Sequence, residues 1–448
     1  LSTDTVTLKG SSKCRASLPY FRACAAGFAG LFVERVGSAR LLRRYRTARL
    51  RALLHHAYEH VPFYRRRFDE AGFHPDQFQT LEDLQRVPIT RKSDLRLVSE
   101  KDSIARNVDP ARLLRYGTGG STGAPMEVRF TRFEDLLLRV MRFQVLMGFG
   151  MRWHDRRSTI VGYRELPRKG LLKRLGILHS QRLHALSAPT NLRSALREFR
   201  PDAIRGYPSV LALLSEAMTD EDRANIRPRF ITTDSENLTE LARKQIEEGF
   251  QAPVFDVYDC FECNVIASQC PRGVGYHVLD SSVVVEVVNG EEPVRAGESG
   301  EIVFTSLHTW AAPLIRYMPG DLVEQGVASC SCGAPNAGLA KIFGRMQDKF
   351  VLPDGRSFHP VSLTVWIYPL CSVLKLYQII QESADCIVVK LQPASGGRLS
   401  EDMVATMRKG MAADLGEGIM LLVELVDHIP SEHNGKFRPY RSYADAVR

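Results

Sequence analysis

A chain of 448 residues is too long for one ordinary hydrophobic core, so two or more domains are expected. With 44% hydrophobic and 25% charged residues, no internal repeat and no long low-complexity tract, it reads as globular and not as disordered or fibrous. The net charge of +9 suits nucleotides and other anionic small molecules as well as nucleic acid, and charge alone does not choose between them.

The first apolar run, "ACAAGFAGLFV" (Ala23 to Val33), is shorter than the roughly 20 residues of a membrane span. It lacks a clean cleavage site and basic sequence follows, so neither a membrane span nor a signal peptide is expected. The Arg-rich run "LLRRYRTARLRALLHHAYEHVPFYRRRF" predicts a basic amphipathic helix, because Leu50, Leu53, Leu54, Ala57 and Val61 recur at helical spacing. A solvated helix face is the plain reading of its charge, ahead of a nucleic-acid or membrane patch, and no nucleic-acid partner is expected. Residues 110–250 alternate strand-like and helical runs: "STIVGY", "LRSALREF", "AIRGYPSVLALLSEAM", "RFITTD" and "LTELARKQIEEGF". That alternation predicts an α/β fold with a largely parallel sheet. From Tyr276 the pattern turns strand-rich, giving a β-rich part over about 276–340. After "GRMQDKF" the strands "CIVVKLQ" and "IMLLVELV" and the helix "SEDMVATMRKGMAADL" predict a small α+β unit. The expected organisation is a large multi-subdomain N-terminal domain over 1–345 and a small mobile C-terminal domain over 346–448, hinged near Arg345 to Lys349.

Two stretches carry chemistry on their own. "YGTGGSTGAP", Tyr116 to Pro125, lets the backbone approach a ligand, while Thr118, Ser121 and Thr122 add hydroxyl donors, as a phosphate loop requires. It has no Walker A lysine and is not a dinucleotide fingerprint. The nine cysteines, odd in number and in no secretory context, predict a cytoplasmic protein with metal or structural thiols. Cys270 and His277, with Cys330-Ser331-Cys332, offer three thiolates and one imidazole, the closed tetrahedral set that structural zinc prefers. Cys260 and Cys263 read as packing thiols.

The order of the later motifs adds more. "TGGSTGAP", "GYPSVLALLSEA", "TTDSENLTELARKQIEEGFQAPVFDVYDCFE", "GESGEIVFTSL", "PLIRYMPGDLV", "IFGRMQDKFVLPDGRSFHP" and "SEHNGKFR" follow one another over more than three hundred residues. This series resembles the adenylate-forming superfamily of acyl- and aryl-CoA ligases, most of all its phenylacetate–CoA ligase and CapK-like branch. The N-terminal "LLHHAYEHVPFYRRRFDEAGF" and "LEDLQRVPITRKSDLR" share the likeness, which covers the chain from about residue 40.

The resemblance implies ATP-dependent conversion of a carboxylic acid, aryl or otherwise apolar, to an acyl-adenylate, followed by transfer to CoA. It implies that Thr118, Gly119, Gly120, Ser121, Thr122 and Gly123 wrap the β/γ-phosphates. Ser235, Glu236 and Asn237, with Asp256, Val257 and Tyr258, frame the adenine. Glu262 holds Mg²⁺, Asp321 binds the ribose, Arg345 lies near it, and Lys436 stabilises the charge that develops during adenylation. Tyr207 and Trp310 are candidates for the acyl pocket. "EC…H…C-x-C-G" patterns occur in this branch and support zinc at Cys270, His277, Cys330 and Cys332. A homodimer is compatible with the family. The chain departs from the pattern at Asp234-Ser235-Glu236, in place of Gly-Gly-Glu, and at Tyr258-Asp259-Cys260-Phe261-Glu262, in place of Tyr-Gly-x-Ser/Thr-Glu, losing the glycine and the hydroxyl. Met126 and Glu127 follow Pro125 where a basic residue is usual. Two alternatives stand beside the CoA ligase: an adenylating enzyme with an amine or carrier-protein acceptor, and a degenerate nucleotide-binding homologue.

Overall fold

The computed structural model of the chain describes residues 29–30, 32–34, 38–117, 127–161, 179–272, 275–327, 330–332, 338–345, 349–355, 357–358, 360–370, 373–432 and 436–443. The first long helix, Ala39–His60, is capped by the Ser38 hydroxyl, which accepts from the Leu41 N–H. The Arg-rich run is two helices, not one. Val61 is extended because Pro62 disfavours helix in the residue before it, and Pro62 opens the second helix, Pro62–Glu70. Their apolar faces bury Leu50, Leu53, Leu54, Phe63, Tyr64 and Phe68 against Leu307 and Ile315. The Tyr64 hydroxyl donates to the Pro313 carbonyl at 3.0 Å and accepts from the Ile315 N–H at 3.0 Å, tying the helices to the chain just before Arg316.

Strands are numbered in chain order. β1 (Thr90–Arg91) lies beside β14 (Tyr317–Met318), and β2 (Leu114–Gly117) forms a hairpin with β3 (Glu127–Phe130). The glycine-rich loop, Thr118 to Gly123, falls inside this hairpin and lies outside the described residues. Then come β4 (Arg157–Val161), β5 (Ser180–His184), β6 (Ala203–Gly206), β7 (Phe230–Thr233) and β8 (Val254–Cys260). They pair in parallel in the order β5-β4-β6-β7-β8. Such strands read as buried on both faces. On one face Ile160, Ile204, Ile231 and Val254 pack under the helices Pro189–Phe199, Pro208–Glu216 and Glu240–Phe250. The other face lies under the helix Arg132–Gly148, and there it is polar as well as apolar.

β9 (Asn264–Gln269) turns back antiparallel to β8, so antiparallel pairing begins before Tyr276. β10 (Tyr276–Val278), β11 (Val283–Asn289), β12 (Glu292–Pro293), β13 (Ser299–Ser306), β15 (Asp321–Gln325) and β16 (Leu339–Arg345) extend it. The Val-rich "VVVEVV" of β11 pairs along β13, as β-branched residues favour. At the C-terminal end, β17 (Phe350–Val351) and β18 (Ser357–Phe358) form a hairpin. β19 (Leu374–Ser383), β20 (Cys386–Pro393), β21 (Met420–Leu425) and β22 (Tyr440–Arg441) make a sheet of order β21-β20-β19-β22. The helix Glu401–Leu415 covers it through Met407, Met411 and Leu415. No described helix is long and apolar enough to cross a membrane.

Helix contact is close where Glu240–Phe250 crosses Pro208–Glu216. A Cβ on Gly249 would sit 2.2 Å from Ser215 Cβ and 3.0 Å from its Cα, so an alanine there must push the two helices apart. Overpacking costs about 1–3 kcal/mol, more than the roughly 1 kcal/mol of helix propensity that alanine returns. Gly249→Ala is expected to lower the melting temperature by several degrees in a thermal denaturation, and an unchanged midpoint would show that the helices separate freely.

Candidate functional site

Parallel strands present ligands at their C-terminal ends, and here the ends of β6 and β7 open into the same cleft. β6 runs out into Tyr207, and β7 into Asp234, Ser235, Glu236 and Asn237. Ser235 holds φ of 70°, a left-handed turn that swings the chain away from the strand. Glu236 accepts from the Ser209 N–H and hydroxyl, both at 3.1 Å, and from the Phe437 N–H at 2.7 Å. Burial pushes its carboxyl up to about 7, against the opposing pull of those donors and of the Lys436 ammonium. Lys436 itself places its Nζ 5.6 Å from the centre of the Tyr207 ring. Adjacent residues of the C-terminal segment therefore engage both sides of the cleft.

β8 supplies the next set. Asp256 accepts from Thr233 Oγ1 at 2.6 Å and from the Tyr276 hydroxyl at 2.8 Å, bracing β7, β8 and β10 together. Its carboxyl is raised to about 6 by burial. Val257 is buried beneath the helix Arg132–Gly148. The Tyr258 hydroxyl donates to Asp321 Oδ2 at 2.6 Å, and burial beside that carboxylate pushes the phenol well up. Arg345 stands opposite Asp321 across the β15–β16 ladder, with its Nε 3.0 Å from Oδ1. Asn237 reaches over to the same ladder and donates to the Phe343 carbonyl at 2.8 Å. Gly344, with φ of 108°, permits that approach: a Cβ there would come within 2.5 Å of the Asn237 amide nitrogen.

Glu262 is buried and accepts from the Tyr317 hydroxyl at 3.4 Å. Sequence reasoning passed over its neighbour Lys92. Burial, then the Arg345 charge, lower the Lys92 ammonium, while Glu262 and Asp321 hold it up. That balance puts Lys92 among the same carboxylates, although "PITRKSDLR" carries no spacing that would single it out. Trp310 lies with the N-terminal helices. Arg49 sits over its ring at 5.0 Å, His56 packs at 5.1 Å, and the indole N–H donates to the Leu307 carbonyl.

The cysteine–histidine set converges. The ligand atoms of Cys270, His277, Cys330 and Cys332 all lie within 4.8 Å of one another. Cys270 Sγ is 3.7 Å from Cys330 Sγ, and Cys332 Sγ is 3.2 Å from His277 Nε2. Tetrahedral zinc with bonds of about 2.3 Å sets its sulfurs about 3.8 Å apart, which the first distance matches. Cys260 and Cys263 form a separate pair, 3.4 Å apart, on the turn that carries Glu262.

A parallel sheet ending in an acidic turn, an antiparallel sheet offering a Tyr–Asp–Arg group, and a small C-terminal sheet setting a lysine over the cleft make up the fold of an adenylate-forming ligase. A 2-hydroxyisobutyryl-CoA ligase in the postadenylation state shares this fold with a TM-score of 0.76 at 23% identity, over 91% of this chain and 90% of that one. The CapK C-terminal domain model matches residues 350–441. The chain is 32% identical over 303 residues to a phenylacetate–coenzyme A ligase of Escherichia coli, covering 63% of this chain and 67% of that protein. It is 28% identical over 362 residues to the Thermus thermophilus phenylacetate–coenzyme A ligase, covering 76% and 78%. The chain belongs to the phenylacetate–coenzyme A ligase family, whose members are AMP-forming acid–thiol ligases.

The raised Glu236 carboxyl sets a pH dependence. In the unfolded chain it ionises near its ordinary 4.5, and in the folded protein near 7. The folded state therefore binds the extra proton between those values, so this group's stabilisation is complete below 4.5 and is lost as pH rises through 7. Glu236→Gln is expected to flatten the fall in melting temperature between pH 4.5 and 7. An unaltered slope in that variant would assign the titration to another group.

Proposed function

We propose that this protein adenylates a carboxylic acid with ATP and passes the acyl group to the CoA thiol. The observation that carries the reading is the docking of Lys436 and Phe437 against Tyr207 and Glu236, which sets an ammonium over the cleft that Asp321, Arg345 and Lys92 border. In the first half-reaction a carboxylate oxygen attacks the α-phosphorus, the bond to the bridging oxygen breaks, and pyrophosphate leaves. This step needs charge neutralisation and positioning more than covalent help. Lys436 would meet the charge that builds on the α-phosphate and acyl oxygens. Asp321, held by Tyr258 and Arg345, would accept from the ribose hydroxyls. Ser235 to Asn237 and Asp256 to Tyr258 would frame the adenine, and Thr118 to Gly123 would wrap the β/γ-phosphates. Lys92 would add a cation beside Glu262 and Asp321, in a chain where Met126 and Glu127, not a basic residue, directly follow Pro125. In the second half-reaction the CoA sulfur attacks the acyl carbon, and AMP leaves with the electron pair.

Glu262 fits a magnesium ligand, because among the described residues its buried carboxylate accepts just the long Tyr317 bond and Mg²⁺ is commonly held by one or two carboxylates plus substrate phosphates. That ion would neutralise triphosphate charge. Residues 346–448 would form the mobile C-terminal domain, hinged near Arg345. Tyr207 would line the acid pocket.

Lys436→Ala is expected to lower acid-dependent exchange of labelled pyrophosphate into ATP by a hundredfold or more, as loss of a transition-state charge partner does. Exchange at the wild-type rate would remove Lys436 from the adenylation step.

Cys270, His277, Cys330 and Cys332 would hold a structural zinc that joins the strand end at Cys270 to the segment before β16. With the ligand set filled by protein, such an ion has no open position for catalysis. The purified protein is expected to carry one zinc per chain by elemental analysis. Cys332→Ser is expected to lose most of it and to melt at lower temperature. Zinc-free wild-type protein of unchanged melting temperature would refute the assignment.

A further inference from the structure

The polar face of the parallel sheet holds a group of arginines that the nucleotide roles proposed above leave unassigned. In the paired rows, Thr159 of β4 lies between Arg182 of β5 and Arg205 of β6, and Arg157 stands two residues down the same face of β4. The helix Arg132–Gly148 closes over them and contributes Arg139 and Arg142. Carboxylates neutralise part of this charge. Arg142 bonds Asp234, Asp259 and the Asn264 side-chain oxygen, and Arg205 bonds Asp234 and approaches Asp259 at 3.6 Å. Arg139 bonds Asp135 at 2.9 Å and reaches the Tyr116 hydroxyl at 3.4 Å.

Arg157 is different. Its Nε is buried with no hydrogen-bond partner. The charges that act on it are those of Arg205, Arg142 and Arg182, all repulsive, and with burial they push the guanidinium down to about 10. A buried cation facing other cations is costly, and in proteins such a group is paired or it marks a binding site. The group adjoins the cleft. Arg205 precedes Tyr207 by two residues, Asp234 immediately precedes Ser235, and Tyr116 lies in the strand that leads into the glycine-rich loop. The group therefore borders the end of β6, where Tyr207 enters the acid pocket proposed above.

Building on the proposed adenylation, we infer that the acid this protein activates bears a second carboxylate, received by the arginine chamber that Arg157, Arg182 and Arg205 line. One carboxylate is adenylated beneath Lys436. The other, on an aryl or aliphatic body, meets the guanidinium forks, whose planar donors match a carboxylate. Arg157 acts as a specificity-determining residue, not a catalytic one.

The test is pyrophosphate exchange with matched acids: phenylacetate, the isomeric carboxyphenylacetates, succinate and glutarate, each diacid beside its monomethyl ester. At least one diacid is expected to show a KM tenfold or more below that of its ester. Arg157→Met is expected to raise that KM about tenfold, leave the ester's KM and kcat unchanged, and be partly rescued by Arg157→Lys. The diacid-to-ester ratio of the wild-type protein tests the inference even where Arg157→Met fails to fold. Preference for phenylacetate or the esters would overturn it and leave the adenylation reading intact, as would a variant that alters diacid and ester alike. Exchange with none of the acids, together with none in a broader panel, would overturn both.

Discussion

The structure depends on β8. One edge of this strand pairs in parallel with β7, and the other pairs antiparallel with β9, so the two halves of the large sheet meet on its backbone. A strand so placed cannot slip. A one-residue shift would turn Asp256 and Tyr258 to the wrong faces and separate Asp256 from Thr233 and Tyr276. Along its length β8 hands out Asp256 to the joint, Tyr258 to the Asp321–Arg345 pair and Asp259 to the arginine chamber. The turn after β7 and the antiparallel sheet are held in register by the same ladder.

This arrangement explains where the chain can depart from its family. Asp234 and Asp259 stand where glycines are usual, and neither is idle: both are bound by Arg142 and Arg205. Replacing small residues by carboxylates inside a sheet would be untenable unless cations arrived with them. The two carboxylates and the two guanidinium groups therefore form one charge-compensated cluster, spread over β6, β7, β8 and the covering helix.

Much of the fold was legible. The alternation over 110–250 predicted the parallel sheet, and β20, β21 and the helix Glu401–Leu415 lie where "CIVVKLQ", "IMLLVELV" and "SEDMVATMRKGMAADL" put them. The cysteine–histidine set was legible because thiolates and imidazole are few, and C-x-C spacing confines them. Other parts were not. Arg157 and Lys92 are single cations in a chain with 60 Lys and Arg residues, and only burial separates them from the solvated ones. The bond from Phe437 to Glu236 uses a backbone N–H, which leaves no mark in side-chain identity. The break at Val61 was readable from Pro62, yet the apolar spacing runs through it and masks it.

The Glu236–Phe437 bond also couples position to protonation. The carboxylate takes one of its donors, and the field of one ammonium, from the segment 436–437. Any movement that withdraws this segment removes both together and raises the proton affinity of Glu236 further. By linkage, the converse holds: protonating Glu236 weakens the grip on the segment. The position of the segment 436–437 and the ionisation of one carboxyl near neutrality are then two readings of a single equilibrium, so solvent acidity bears on how firmly that segment is held.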